Sequence, residues 1–188
     1  LKNSVGQERE TIEKNLSLNQ NGRKSSNNPP FFLYNLWGLS PLQLFDTEDL
    51  VDFFIKNYSH VDRIVEVGIG AYPHVAIRLK KLLPSVNVIV TDIDKVKLAT
   101  IKKEYVELEP VYDDIFEPQW IIYAGADLLY SIRPPPEMIP EIMKMALNVG
   151  SDLLIRPFFN DEGDYEYPKL RGWRLTNYKR AIFYLLKK

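Results

Sequence analysis

The run Arg63-Ile64-Val65-Glu66-Val67-Gly68-Ile69-Gly70, followed by Val86-Asn87-Val88-Ile89-Val90-Thr91-Asp92, restricts the fold of this chain more than any other feature. A short run of β-branched residues bounded by turn signals reads as a strand buried on both faces, as parallel strands are. Gly68 and Gly70 lack a Cβ, so the chain can turn sharply after the strand and admit a ligand close to its backbone. The second run then delivers Asp92 where an acidic side chain meets ribose hydroxyls. Strand, glycine turn, helix, strand and acid in this order predict nucleotide-type binding on an α/β fold.

The details of the glycine turn separate two classes of ligand. A GxGxxG pattern needs glycine at 73, where the chain has Pro73, and an ExGxGxG pattern needs glycine at 72, where it has Tyr72. Both fail at their last glycine, but only the second matches through Glu66. Hydride-transfer folds keep the first strand apolar up to the glycine. A carboxylate two residues before Gly68 suits instead the ammonium and sulfonium of S-adenosylmethionine, the expected cofactor. The alternative for Glu66 is a surface carboxylate paired with Arg63 or a lysine.

The remaining candidates follow the strand ends. Asp94, directly before Lys95, reads as a helix N-cap, which leaves Asp92 for the ribose. Tyr112-Asp113-Asp114-Ile115-Phe116 closes a third strand on the same carboxyl edge. Asp114, ahead of Asp113, reads as the acceptor for an adenine amino group, with an Asx turn as its alternative. In Ser131-Ile132-Arg133-Pro134-Pro135-Pro136-Glu137 the prolines preset an extended backbone and remove N–H donors. Ser131, Arg133 and Pro134 are therefore expected to face the substrate, Arg133 being suited to a phosphate or carboxylate. The alternative is a proline-marked helix start. Neither His60 nor His74 is assigned a role, no catalytic residue is identified, and no HxH, HExxH, GxSxG or Walker pattern is present.

The chain has 188 residues, of which 45% are hydrophobic, a net charge of −1 and no cysteine. One α/β domain is expected over 46–188. Residues 1–45 read as a polar, disordered extension carrying the aromatic segment 31–37. Thiol catalysis and cysteine metal sites are excluded. The charge leaves no clear nucleic-acid footprint, no apolar stretch reaches membrane length, and a cytoplasmic location is expected. Helices are expected from Asp46, with Phe45 and Leu50 as a staple, from Pro73 with Val75, Ala76, Leu79, Leu82 and Leu83 inward, over 95–103, over 117–124 as a short turn or helix, and over 137–147. Strands are expected over 62–67, 86–91, 106–112, 126–131 and 152–156. Residues 160–169 read as an acidic loop, with a closing hairpin over 172–177 and 180–186. A hairpin ending a parallel sheet is the methyltransferase-type variant of this architecture, with expected strand order 3-2-1-4-5-7-6.

Glu66-Val67-Gly68-Ile69-Gly70, Asp113-Asp114-Ile115-Phe116-Glu117-Pro118 and Tyr130-Ser131-Ile132-Arg133-Pro134-Pro135-Pro136-Glu137 together resemble a small uncharacterised archaeal protein family. Its members look like compact relatives of the Rossmann-fold S-adenosylmethionine-dependent methyltransferases, and the closing Asn177-Tyr178 and Phe183-Tyr184 are similar to its end. The resemblance runs from about Asp49 to Lys188, so that residues 1 to about 45 read as an extension or an upstream stretch. It implies no established reaction. The leading expectation is an S-adenosylmethionine-binding protein and methyltransferase of unknown substrate, held by Glu66, Gly68, Gly70, Asp92 and Asp114. A catalytically inactive nucleotide-binding or interaction module is the alternative. An NAD-dependent oxidoreductase is a third, against which Glu66 and Pro73 speak.

Overall fold

The computed structural model describes residues 44–70, 73–157 and 172–188. The expected disordered extension up to residue 43, its segment 31–37, Tyr72 and the acidic loop at 160–169 lie outside the described residues. In chain order the elements are α1 (Thr47–Tyr58), β1 (Arg63–Val67), α2 (His74–Leu82), β2 (Asn87–Asp92), α3 (Lys95–Glu104), β3 (Glu109–Tyr112), α4 (Trp120–Tyr123), β4 (Leu128–Ile132), a 3-10 turn (Pro136–Met138), α5 (Ile139–Val149), β5 (Asp152–Arg156), β6 (Arg174–Tyr178) and β7 (Ala181–Leu186).

The seven strands form one sheet in the order β3-β2-β1-β4-β5-β7-β6. β1 runs parallel to β2 and β4, with Ile64 level with Val88 on one side and Leu128 on the other. β7 is inserted antiparallel between β5 and β6. The expected architecture and strand order are therefore those observed. Apolar side chains of β1 alternate between two cores because the sheet is covered on both faces. Ile64 packs with Leu50 and Phe54 of α1, Leu79 of α2 and Leu98 of α3. Val65 and Val67 pack on the other face with Tyr123 of α4 and Ile139 and Ile142 of α5.

Local chemistry fixes the boundaries. Asp94 caps α3, accepting from the Val96 and Lys97 N–H groups at 2.9 and 3.1 Å. Gly150 ends α5 at a φ of 70°, in the left-handed region. Three local expectations shift. The helix read over 137–147 divides into the 3-10 turn and α5, because consecutive prolines withhold the N–H donors of a regular start. β3 begins three residues late, since the Leu108 N–H closes a turn on the Tyr105 carbonyl at 3.0 Å and leaves Val106 at 85% exposure. On α2, Leu82 is exposed and Ile77 is buried instead.

The start of α1 departs in a more consequential way. Asp46 stands at the N-cap position but makes no side-chain cap bond. Its Oδ2 instead accepts from Arg156 Nε and Nη2, both at 3.0 Å, and the two side chains are 1% and 2% exposed. Phe45 lies half-exposed with the Arg156 guanidinium 5.9 Å from its ring centre. Leu44, just before it, is buried in the core. At the opposite edge of the sheet, Tyr58 of α1 and Lys187 both donate to Asp152 Oδ2, at 2.9 and 2.6 Å. These contacts hold the first helix to the middle and the end of the sheet.

Candidate functional site

A cavity of about 330 Å3 opens at the carboxyl ends of β1, β2, β3 and β4. That volume is at the lower end of the range for small-molecule sites. Its position is also the general one for open α/β sheets, where the strand order reverses and the chain leaves a crevice between β1 and β4. Gly68, Gly70, Asp92 and Asp114 line it, as do Ser131, Arg133 and Pro134. Of the residues expected from the sequence, Glu66 alone is absent from the lining.

The glycine turn is held from within. Gly68 and Gly70 adopt φ values of 70° and 55°, which side-chain-bearing residues rarely take. At Gly68 a Cβ would also meet the Met138 Cε at 3.3 Å. The Ile69 N–H donates to the Thr91 carbonyl at 2.8 Å, extending the β1–β2 ladder past its end. The Gly70 N–H donates to Asp92 Oδ2 at 2.8 Å, and the Asp94 N–H donates to Asp92 Oδ1 at the same distance. Asp92 is thus the clasp between the turn and the start of α3. A carboxylate has further lone pairs, so the same group can also accept from ligand hydroxyls.

The two acids after β3 differ sharply. Asp113 is buried, with Oδ1 accepting from the Gln119 N–H at 2.8 Å and Oδ2 accepting from Tyr123 Oη. It anchors α4. Asp114 is half-buried in the cavity wall, with Oδ1 accepting from the Phe116 N–H at 2.9 Å in an Asx turn. The Asx turn read as the alternative for Asp114 is formed, and the residue also lines the cavity.

Glu66 lies beneath the turn and is fully enclosed. Tyr130 Oη donates to its Oε2 at 2.7 Å, and Oε1 has no hydrogen-bond partner among the described residues. Burial pushes its carboxyl up to about 8, the Tyr130 hydrogen bond works against that rise, and the negative charge of Asp92 adds to it. The surface pairing with Arg63, the alternative reading of Glu66, does not form. Arg63 Nη1 donates to the Ala124 carbonyl.

Along β4, Ser131 Oγ donates to the Val67 carbonyl at 2.6 Å, which seats the end of β4 against that of β1. Arg133 follows with a φ of 55°, and its N–H donates to the Arg156 carbonyl at 2.7 Å. Pro134 is buried. Ile93, Phe116 and Met138 also line the cavity and were not singled out from the sequence. Ile93 and Phe116 are 57% and 53% exposed. Their signal was available, since each is a large apolar residue one or two positions beyond a strand-end acid.

The model of the uncharacterised protein family UPF0146 matches residues 47–188. The UPF0146 protein of Archaeoglobus fulgidus is 36% identical over 139 residues, covering 74% of this chain and 93% of its own. That of Methanocaldococcus jannaschii is 35% identical over 138 residues, covering 72% and 93%. Among solved structures, an O-methyltransferase family protein from Burkholderia thailandensis matches with a TM-score of 0.55 at 11% identity, over 76% of this chain and 56% of that one. TnmH matches with a TM-score of 0.55 at 15% identity, over 75% and 53%. The chain thus spans little more than half the length of those two structures, and the likeness is one of fold.

Proposed function

The chain belongs to the uncharacterised protein family UPF0146, and from that premise we propose that it binds S-adenosylmethionine and serves as a compact methyltransferase. The observation that carries this reading is the fate of the amides in the glycine turn. A dinucleotide places its pyrophosphate on unpaired N–H groups of the turn and of the following helix. Here the Ile69 and Gly70 N–H groups are already bonded within the protein, and Pro73 brings no donor to the start of α2. A cavity with carboxylates in its wall and these two amides engaged suits a nucleoside joined to an uncharged or cationic group better than one joined to phosphates.

In this reading Gly68 and Gly70 give the close approach, Asp92 accepts from the ribose hydroxyls and Asp114 from the adenine amino group, between Ile93 and Phe116. Ser131, Arg133 and Pro134 form the wall at the acceptor end. Glu66 acts from beneath the turn, where it accepts from Tyr130. Bound S-adenosylmethionine supplies an activated methyl group, and the chain's own part is to orient it and exclude water.

A second reading, binding without turnover, draws on one observation. Asp92, Asp113 and Asp114 are each engaged in fixing a turn or a helix start, and no histidine is among the described lining residues. Thermal unfolding with S-adenosylmethionine, S-adenosylhomocysteine, NAD and ATP tests the binding claim. A ligand at 100 times its dissociation constant stabilises by about 2.7 kcal/mol, which raises the midpoint by several degrees. A rise with the first two alone, reduced in Asp114→Ala, supports the reading. No rise at saturating ligand sinks it. Methyl transfer to an acceptor pool then separates enzyme from binding module.

A further inference from the structure

We propose that Glu66 makes the cavity selective for the charge of its ligand: a cation settling over the glycine turn drives a proton from Glu66 into solvent, and a neutral ligand does not. This rests on the S-adenosylmethionine reading above. It adds how the protein tells the sulfonium of S-adenosylmethionine from the thioether of S-adenosylhomocysteine.

Glu66 stands in the middle of the sheet, level with Val90 of β2 and Tyr130 of β4. It is fully enclosed, and an enclosed carboxylate is costly unless donors or a cation surround it. One described donor reaches it, Tyr130 Oη, at 2.7 Å from Oε2. By the alternation of β1 its side chain shares a face with Ile64, under α1, α2 and α3. Those helices begin at the same edge of the sheet, but their first charged groups are engaged elsewhere. On α1, Asp46 is bonded to Arg156, Glu48 to Arg78 and Asp49 to Arg180. On α3, Asp94 caps its own helix and pairs with Lys97, while Lys95 lies over the Tyr112 ring. His74 opens α2, and burial holds it below its ordinary value, so that it brings no charge at pH 7. On β1 itself, Arg63 is bonded to the Ala124 carbonyl.

Asp92 links this carboxyl to the cavity. It lines the cavity wall, holds the Gly70 N–H at 2.8 Å, and its negative charge opposes ionisation of Glu66. The backbone beneath the turn is fixed from both sides. Thr91 Oγ1 donates to the Glu66 carbonyl at 3.2 Å, and Ser131 Oγ to the Val67 carbonyl at 2.6 Å. In a poorly solvated interior, a carboxyl held in this way responds strongly to nearby charge. A negative charge, as Asp92 shows, keeps the proton on, and a positive one favours the ionised form. S-adenosylmethionine and S-adenosylhomocysteine share nucleoside and amino-acid tail and differ in the charge on sulfur. The proton therefore leaves to solvent when the first binds and returns from solvent when the second replaces it. The cationic ligand accordingly gains on the neutral one as pH rises.

Calorimetric titration of each ligand at pH 7, in buffers of different ionisation enthalpy, counts the protons released per ligand bound. S-adenosylmethionine is expected to release more than S-adenosylhomocysteine, and that difference is expected to shrink in Glu66→Gln. The variant retains whatever the ligands' own amino groups gain or lose, so the comparison isolates Glu66. Between pH 6 and pH 9, affinity for S-adenosylmethionine relative to S-adenosylhomocysteine is expected to rise about tenfold more in wild type than in the variant. Infrared difference spectra need only the wild type: S-adenosylmethionine is expected to remove a protonated-carboxyl band that S-adenosylhomocysteine leaves in place. Proton counts that do not differ between wild type and variant, or a band that neither ligand moves, overturn the assignment and leave Glu66 as the buried partner of Tyr130. A wild-type protein that binds neither ligand overturns the cofactor reading, and this inference with it.

Discussion

Glu66 is the residue whose chemistry departs furthest from that of a free side chain. Its carboxyl is fully enclosed and moves from the ordinary value of 4.5 up to about 8, chiefly through burial. The folded protein therefore binds this proton more tightly than the unfolded chain does. By linkage, the stability that protonation confers is fully present below the unfolded value and is lost as pH rises through about 8. Glu66→Gln removes the titration while keeping size and an acceptor for Tyr130. Urea denaturation at pH 6 and pH 9 is expected to show the variant gaining on wild type at the higher pH. Any fixed cost of an unpaired amide N–H cancels in that comparison. A difference that does not change with pH would show that Glu66 does not titrate in this range. The sequence identifies Glu66 as unusual by its place before Gly68, but not its burial. Burial depends on Tyr130, a partner 64 positions away. Gly68, Gly70 and Asp94 were legible because their roles are set by their own backbone.

The Asp46–Arg156 pair belongs to the scale of elements, since it joins the start of α1 to the end of β5. Local pattern reads Asp46 as a cap because aspartate before an amphipathic run is the usual sign of one. Nothing in that pattern reveals an arginine 110 residues on. Arg156 Nη1 also donates to the Pro157 carbonyl at 2.7 Å, so the guanidinium is held on two sides. Removing one member leaves the other charged and enclosed, and Arg156→Met or Asp46→Leu alone is expected to cost about 3–5 kcal/mol. The double variant recovers most of that loss, because neither charge is left unpaired. Urea midpoints of the four proteins give the coupling directly, and a double variant no better than the worse single one would refute this account. The strands, by contrast, were legible as elements. Parallel strands buried on both faces show as continuous apolar runs, and β5 matches its expected span of 152–156. The misses at β3 and α5 arise where proline and a turn decide the boundary.

At the scale of the whole molecule, the strand order was legible because strand–helix alternation and a closing hairpin admit few topologies. The ligand was not, because fold alone does not specify one. The core itself has a property that no stretch of sequence displays. One cluster of buried residues contains Leu44, Leu50, Ile64, Leu98, Leu128 and Phe183, and so joins the first helix, the parallel strands and the closing hairpin. The hairpin enters that cluster through Ala181 and Phe183, and the Phe183 ring centre lies 4.6 Å from that of Phe53 on α1. Unfolding the hairpin alone would expose the α1 face, so the sheet is expected to unfold as one unit. Three tryptophans make this testable, at positions 37, 120 and 173. Trp120 starts α4, and Trp173 precedes β6 with its ring edge-on to Tyr184. In Trp37→Phe/Trp173→Phe only Trp120 reports, and in Trp37→Phe/Trp120→Phe only Trp173 does. Within each protein, fluorescence and far-UV circular dichroism are expected to trace the same urea transition. A Trp173 signal that melts ahead of the dichroism would mean that β6 and β7 detach first, and that the shared core does not enforce a single transition.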